Sequence, residues 1–87
     1  MSQQTFAQDA RAGRRLAERD CSACHEVRRG RPPGMKPGPS FSAVAQMVST
    51  TELSISVFLQ TSHQRMPNIT LSRSEIRDLA RYIVSLK

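Results

Sequence analysis

Apolar residues recur at helical spacing in four segments of this chain, and no segment alternates apolar and polar residues as a strand would. The first segment covers residues 4–19, where small and apolar positions form a stripe with charged positions behind it. The second begins at Ser40, and the third begins near Thr50 or Thr51, whose hydroxyls can cap helix amides. The fourth begins with a capping box at Ser72–Glu75. The pattern therefore predicts an all-α fold with short helices.

Apolar positions mark one side of each predicted helix. In the last three helices these positions are Phe41, Val44, Ala45, Met47, Leu53, Ile55, Val57, Phe58, Leu59, Ile76, Leu79, Ala80, Ile83 and Leu86. Met47 has apolar neighbours, so we expect it to pack in the core. Arg73, Arg77 and Arg81 repeat every four residues on the last helix, and this spacing predicts a solvated face.

Two segments between the helices are rich in residues that interrupt helices. Residues 28–40 hold four of the five prolines and three of the four glycines, and residues 62–71 are interrupted by Pro67. Proline lacks an amide donor and fixes φ, while glycine tolerates turns. Both segments are therefore predicted to be loops.

Size and charge narrow the class of protein. The 87 residues are expected to form one domain, 1–87, whose small core needs help from a disulfide, a metal, a cofactor or a partner. The net charge of +6 excludes an acid-rich calcium module and favours an acidic partner surface, nucleic acid or an anionic membrane. No apolar run approaches the roughly 20 residues of a membrane span. The first residues lack the apolar region of a signal peptide, so an exported protein would be present here in mature or recombinant form.

Both cysteines lie in one pentapeptide, CSACH, at positions 21–25. Two thiols three positions apart on one turn can form thioethers with the two vinyl groups of a haem, and the adjacent imidazole of His25 can then bind the iron. A disulfide or thioredoxin-like redox pair would need a strand–helix context. Zinc could use Cys21, Cys24, His25 and His63, but Cys24 and His25 are adjacent and such neighbours rarely share one tetrahedral ion. The motif thus favours haem attachment. The alternatives are a disulfide or redox pair, a zinc site, and two cysteines without a shared function.

Together with other features of the sequence, this motif makes nearly the whole chain resemble a small class I c-type cytochrome. The motif follows the first helix directly, and Gly38-Pro39 and Met66-Pro67 follow it in the order and spacing of that family. Leu79-x-x-Tyr82 matches the pair on the last helix that crosses the first helix near a small residue, here Gly13. The resemblance implies a class I cytochrome c fold, in which about four short helices surround one covalently bound haem c.

The resemblance also implies a role for each residue of the site. Cys21 and Cys24 would carry the haem, His25 and Met66 would bind its iron, and the Pro39 carbonyl would accept the Nδ1–H of His25. His63 is the alternative sixth ligand, or else a rim residue near a haem propionate. The side chains expected to surround the macrocycle are Phe41, Val44, Val57, Phe58, Leu59, Ile69 and Leu71.

The function implied is that of a periplasmic electron carrier rather than an enzyme. Single electrons would pass through the Fe(II)/Fe(III) couple between a dehydrogenase, for example a sulfite dehydrogenase, and an oxidase or another cytochrome. Five basic residues near the haem motif and near Met66 form a candidate docking surface for an acidic redox protein: Arg28, Arg29, Arg31, Lys36 and Arg65. A basic surface without a specific partner is the alternative.

Two other classes of function remain open at this point. One is a haem sensor or enzyme with an open sixth position, although nothing in the sequence resembles a catalytic acid–base set beside such a site. The other is a small basic module that binds zinc or nucleic acid, but it would lack interleaved aromatic residues and a second pair of metal ligands. The resemblance implies no nucleic-acid partner and no membrane-spanning segment.

Overall fold

The computed structural model describes residues 5–30, 36–61 and 70–87, and the only regular secondary structure in these ranges is helical. The helices are α1 (Phe6–Asp20), α2 (Phe41–Gln46), α3 (Glu52–Leu59) and α4 (Arg73–Ser85). No strand occurs in these ranges, so the predicted all-α fold is confirmed. Within the same ranges, no helix has both the length and the apolar character needed to cross a membrane.

Side-chain caps begin each of these helices. The predicted capping box of α4 is present: Glu75 N donates to Ser72 Oγ at 3.1 Å, and Ser72 N donates to Glu75 Oε1 at 2.8 Å. Thr51 caps α3 in the same reciprocal way with Ser54. Thr5 caps α1, which therefore begins two residues later than the periodicity suggested. These bonds satisfy amides that have no partner within the helix.

The main packing contact of the fold is the crossing of α1 and α4 at Gly13. A Cβ placed on Gly13 would lie 2.0 Å from the Asp78 carbonyl oxygen and 2.8 Å from Tyr82 Cβ. Only a residue without a side chain allows this approach, which explains a glycine inside a helix where it would otherwise be unfavourable. The crossing matches what the family resemblance implies for Gly13 and Tyr82. Around it lies the buried core, formed by Leu16, Ala17, Val27, Phe41, Ala45, Ile55, Leu79, Ala80, Tyr82, Ile83 and Leu86.

The core position predicted for Met47 is wrong. Met47 is 56% exposed because α2 ends at Gln46 and the backbone of Met47 is already extended. On α3, only Ile55 is buried and Leu59 partly buried against the core. Leu53, Val57 and Phe58 are exposed because a short helix can pack only one side on its neighbour. The outer side of α3 is therefore apolar and uncovered by the described residues.

The solvated face predicted for α4 is wrong at Arg77 and Arg81. Arg81 Nη1 donates to Asp9 Oδ2 at 2.5 Å, and Arg77 Nε lies 3.4 Å from the same oxygen. Asp9 is only 1% exposed, so these arginines compensate a buried carboxylate on α1. Arg81 Nε also donates to Glu52 Oε1 at 2.9 Å. One guanidinium thus joins α1, α3 and α4, which periodicity along a single helix cannot reveal.

We expect Gly13→Ala to destabilise the protein by about 1–3 kcal/mol, because the new methyl group must push α1 away from the α4 backbone. In a helix without this crossing, the same substitution would be stabilising by up to about 1 kcal/mol. The sign of the change in unfolding free energy can be measured by guanidinium unfolding of the haem-loaded protein, monitored by far-ultraviolet circular dichroism. A more stable variant would contradict the close approach.

Replacing Arg81 by Met should lower the free energy of unfolding clearly more than a substitution at an exposed position does, because Asp9 would keep only the longer contact with Arg77. Arg73→Met, at an exposed position two helical turns earlier, should change stability by less than about 0.5 kcal/mol. Equal effects of the two substitutions in the same unfolding assay would show that the contacts of Arg81 with Asp9 and Glu52 do not stabilise the fold.

Candidate functional site

The pentapeptide at positions 21–25 folds as a tight turn that continues α1, here named the 21–25 turn. Cys21 caps α1, with its N–H donating to Ala17 O at 2.9 Å. The amides of Cys24 and His25 both donate to Cys21 O, at 3.1 and 2.9 Å. Cys21 and Cys24 are free cysteines and both are half-buried. The turn therefore presents two thiols and one imidazole within a single coil of backbone.

The environment of Cys21 keeps its thiol protonated. Burial raises the pKa of Cys21 to about 11, with smaller contributions in the same direction from the negative charges of Asp20 and Cys24. Redox-active CxxC pairs instead have a thiol whose pKa is lowered. The direction of the shift thus argues against a thioredoxin-like function for this pair.

The ring of His25 is held by residues 36–41, where the chain comes back to the 21–25 turn after the first loop. His25 Nδ1 lies 2.7 Å from Pro39 O, and the Phe41 ring lies 5.2 Å from the imidazole, centroid to centroid. A Cβ on Gly38 would lie 2.4 Å from His25 Cε1, so only glycine lets the backbone pass this close to the ring. A carbonyl at Nδ1 requires that this nitrogen carry the proton, which leaves Nε2 with its lone pair as the potential metal ligand.

The returning segment, residues 36–41, also binds the carbonyl groups of the 21–25 turn and of the next residue. Gly38 N donates to Cys24 O at 2.8 Å, and Phe41 N donates to Glu26 O at 2.9 Å. The Lys36 ammonium donates to Ser22 O at 2.6 Å and to His25 O at 3.2 Å. These contacts tie the turn to the loop at several points, so its geometry does not depend on α1 alone.

Two side chains near the end of the chain hold the loop that follows the turn. The Tyr82 hydroxyl donates to the carbonyl of the buried residue Val27, and the Arg29 guanidinium donates to Ser85 O. Burial raises the pKa of Tyr82, which keeps the hydroxyl protonated as a donor. The sequence identified Tyr82 only as a packing residue. Its bond to Val27 was missed, because no local pattern signals a contact between positions so distant in the chain.

The structure describes some of the predicted site residues and not others. The structure brings together Cys21, Cys24, His25 and Pro39. Arg28 is half-exposed, with its Nε 3.9 Å from Glu18 Oε1. Four predicted site residues lie outside the described residues: Arg31, His63, Arg65 and Met66. Ile69, expected near the macrocycle, lies outside them as well.

The described residues fit a haem in three respects. Two free thiols share one turn, an imidazole beside them has its Nδ1 occupied by a carbonyl, and α3 exposes the apolar side chains of Val57 and Phe58. An apolar macrocycle is the kind of group that would cover such side chains. Among the expected surrounding residues, Val44, Leu59 and Leu71 are partly buried against the core, and Phe41 is buried.

The zinc alternative finds no support in the described ranges. Within these ranges, no group of three Cys, His, Asp or Glu side chains is arranged to hold a metal ion. Cys21, Cys24 and His25 do not form such a group either. Adjacent residues of one turn, as expected for Cys24 and His25, do not converge on a tetrahedral centre.

Comparison with known proteins identifies the family. The family model for cytochrome c oxidase, cbb3-type, subunit III matches residues 8–83. Cytochrome c-552 of Bradyrhizobium diazoefficiens is 38% identical over 86 residues, which cover 99% of this chain and 83% of the relative. No solved structure matches the chain. The chain therefore belongs to the cytochrome c family, as a small monohaem class I c-type cytochrome that carries covalent haem c and acts as an electron carrier rather than an enzyme.

Proposed function

We propose that this protein transfers electrons in the periplasm through one haem, held by Cys21 and Cys24 and ligated by His25 and Met66. The observation that carries the proposal is the 2.7 Å contact between His25 Nδ1 and Pro39 O on the same turn as two free thiols. This is the arrangement that a haem-binding histidine needs: one ring nitrogen bonded to the protein and the other directed to iron. Residues 1–87 are proposed to act as one cytochrome c domain.

The chain's own residues would hold the iron site nearly unchanged during electron transfer. When bound, the haem supplies the Fe(II)/Fe(III) couple. The Pro39 carbonyl orients His25 and increases the basicity of its Nε2, which strengthens the bond to iron. A thioether ligand from Met66 favours the ferrous state and therefore a high reduction potential. Retaining the same two ligands in both oxidation states would keep the structural rearrangement small, as fast electron transfer requires.

The proposed partners are redox proteins with acidic docking surfaces. Cytochrome c domains typically face the periplasm or the cell exterior, and we place this chain in the periplasm, between a dehydrogenase and an oxidase or another cytochrome. A sulfite dehydrogenase is one candidate donor. The proposed docking surface consists of Arg28, Arg29, Arg31, Lys36 and Arg65. Arg28 and Arg29 are exposed and lie three and four residues after His25, which supports this assignment.

Met66→Ala should abolish the sulfur–iron charge-transfer band of the ferric protein and lower its reduction potential, because the thioether ligand is removed. Optical spectroscopy and a redox titration of the purified holoprotein measure the two effects. Met47→Ala is the matched control, since Met47 is exposed and should leave both unchanged.

Three outcomes distinguish the possible sixth ligands. A band that survives Met66→Ala would place the ligand elsewhere. A wild-type protein without the band, whose spectrum changes on His63→Ala, would indicate two histidine ligands. Ready binding of carbon monoxide by the ferrous wild-type protein would indicate an open sixth position, as in a sensor or enzyme.

Electron transfer to an acidic partner should slow as ionic strength rises, because salt screens the attraction that speeds encounter. Arg28→Gln should lower the rate at low salt and flatten this dependence. Arg11→Gln makes the same change of charge about 15 Å from Cys21 along the helix axis and should have a smaller effect. Stopped-flow measurements with one acidic redox partner provide the rates. Equal slopes for both variants would show that the loop does not steer docking.

A further inference from the structure

We propose that Lys36 raises the reduction potential of the protein, as a positioning residue whose ammonium acts on the iron site through the 21–25 turn. This role rests on the proposed ligation by His25 and is separate from docking. It follows from where the ammonium lies: Lys36 Nζ is 2.6 Å from Ser22 O and 3.2 Å from His25 O. The positive charge is therefore in direct contact with the backbone of the proposed iron ligand.

The position of Lys36 matches the polarity of the backbone that it contacts. The 21–25 turn continues the carboxyl end of α1, where carbonyl groups lack partners within the helix and carry a partial negative charge. Amides of the returning segment bind the carbonyls of Cys24 and Glu26, whereas Lys36 binds those of Ser22 and His25. The ammonium thus fixes the His25 end of the turn and places a unit charge there.

No carboxylate of the described residues pairs with this charge. Among the described residues, Lys36 forms no ion pair, and its ammonium bonds are to neutral carbonyls. The acidic groups on either side of the turn have other partners: Glu18 pairs with Arg14 and Arg28, Asp20 pairs with Arg19, and Glu26 accepts from the Arg28 amide.

A fixed positive charge beside His25 changes the two oxidation states unequally. Ferric iron carries one more positive charge than ferrous iron, so the nearby ammonium disfavours the ferric state and raises the potential. Because Lys36 is partly buried, salt should screen this effect less than it screens the exposed arginines. Measurements at different ionic strengths can therefore separate the effect of Lys36 on the potential from the proposed docking role of the arginines.

The test is a redox titration of the holoprotein with Lys36→Met and Lys87→Met as a matched pair. Lys87 also donates to a backbone carbonyl at 2.6 Å, but this carbonyl belongs to Thr50, between α2 and α3. Both variants therefore lose one positive charge, and Lys36→Met loses two ammonium–carbonyl bonds where Lys87→Met loses one. We expect the equilibrium constant for electron uptake to fall about threefold to tenfold in Lys36→Met. The change in Lys87→Met should be clearly smaller, and the difference should persist at high ionic strength.

Two further variants separate charge from structure. Lys36→Arg should retain the wild-type potential, whereas Lys36→Gln, which keeps an N–H donor without the charge, should show the lowered one. Lys36→Gln also provides the measurement if Lys36→Met does not accept haem. The inference is overturned if Lys36→Gln has the wild-type potential, or if Lys36→Met and Lys87→Met shift it equally. Failure of the proposed function would be visible independently, as a wild-type holoprotein without the charge-transfer band.

Discussion

The structure depends most on how the carbonyl groups of the 21–25 turn are bound. The turn continues α1 but lies beyond its helical hydrogen bonds, and residues 36–41 supply partners for the carbonyls of Ser22, Cys24 and His25. The same segment brings Pro39 O to His25 Nδ1 at 2.7 Å. One segment therefore binds the backbone of the turn and orients the imidazole. Gly38 makes this possible because any side chain there would collide with the His25 ring.

A second constraint supports that turn from the opposite side. The crossing at Gly13 packs α4 against α1, and Tyr82 then reaches the carbonyl of Val27 just beyond the turn. The scaffold that holds the proposed haem turn is consequently built by the first and last helices, which are far apart in sequence. The short helices α2 and α3 complete the core with Phe41, Ala45 and Ile55. They leave apolar surface on α3 that suits a large apolar cofactor.

The positive charges of this protein serve different purposes, although the sequence shows only an excess of +6. Arg77 and Arg81 compensate the buried carboxylate of Asp9, so they belong to the scaffold. Lys36 binds carbonyls of the 21–25 turn. Arg28 remains half-exposed, at 3.9 Å from Glu18, and can act over a longer range. Net charge alone is therefore a poor guide to the partner of so small a protein.

The sequence by itself determined the features that arise from neighbouring residues: the capping box at Ser72, the amphipathic helices and the thiol–imidazole spacing of the haem motif. Each is local, since capping, helical periodicity and thioether geometry involve positions only a few residues apart. Met66 remains a prediction, because it lies outside the described residues. Only the tertiary structure decided the pairing of Arg81 with Asp9, 72 residues away, and the placement of Lys36 against the turn. Such contacts depend on how distant segments pack, and no pattern along one helix or loop specifies them.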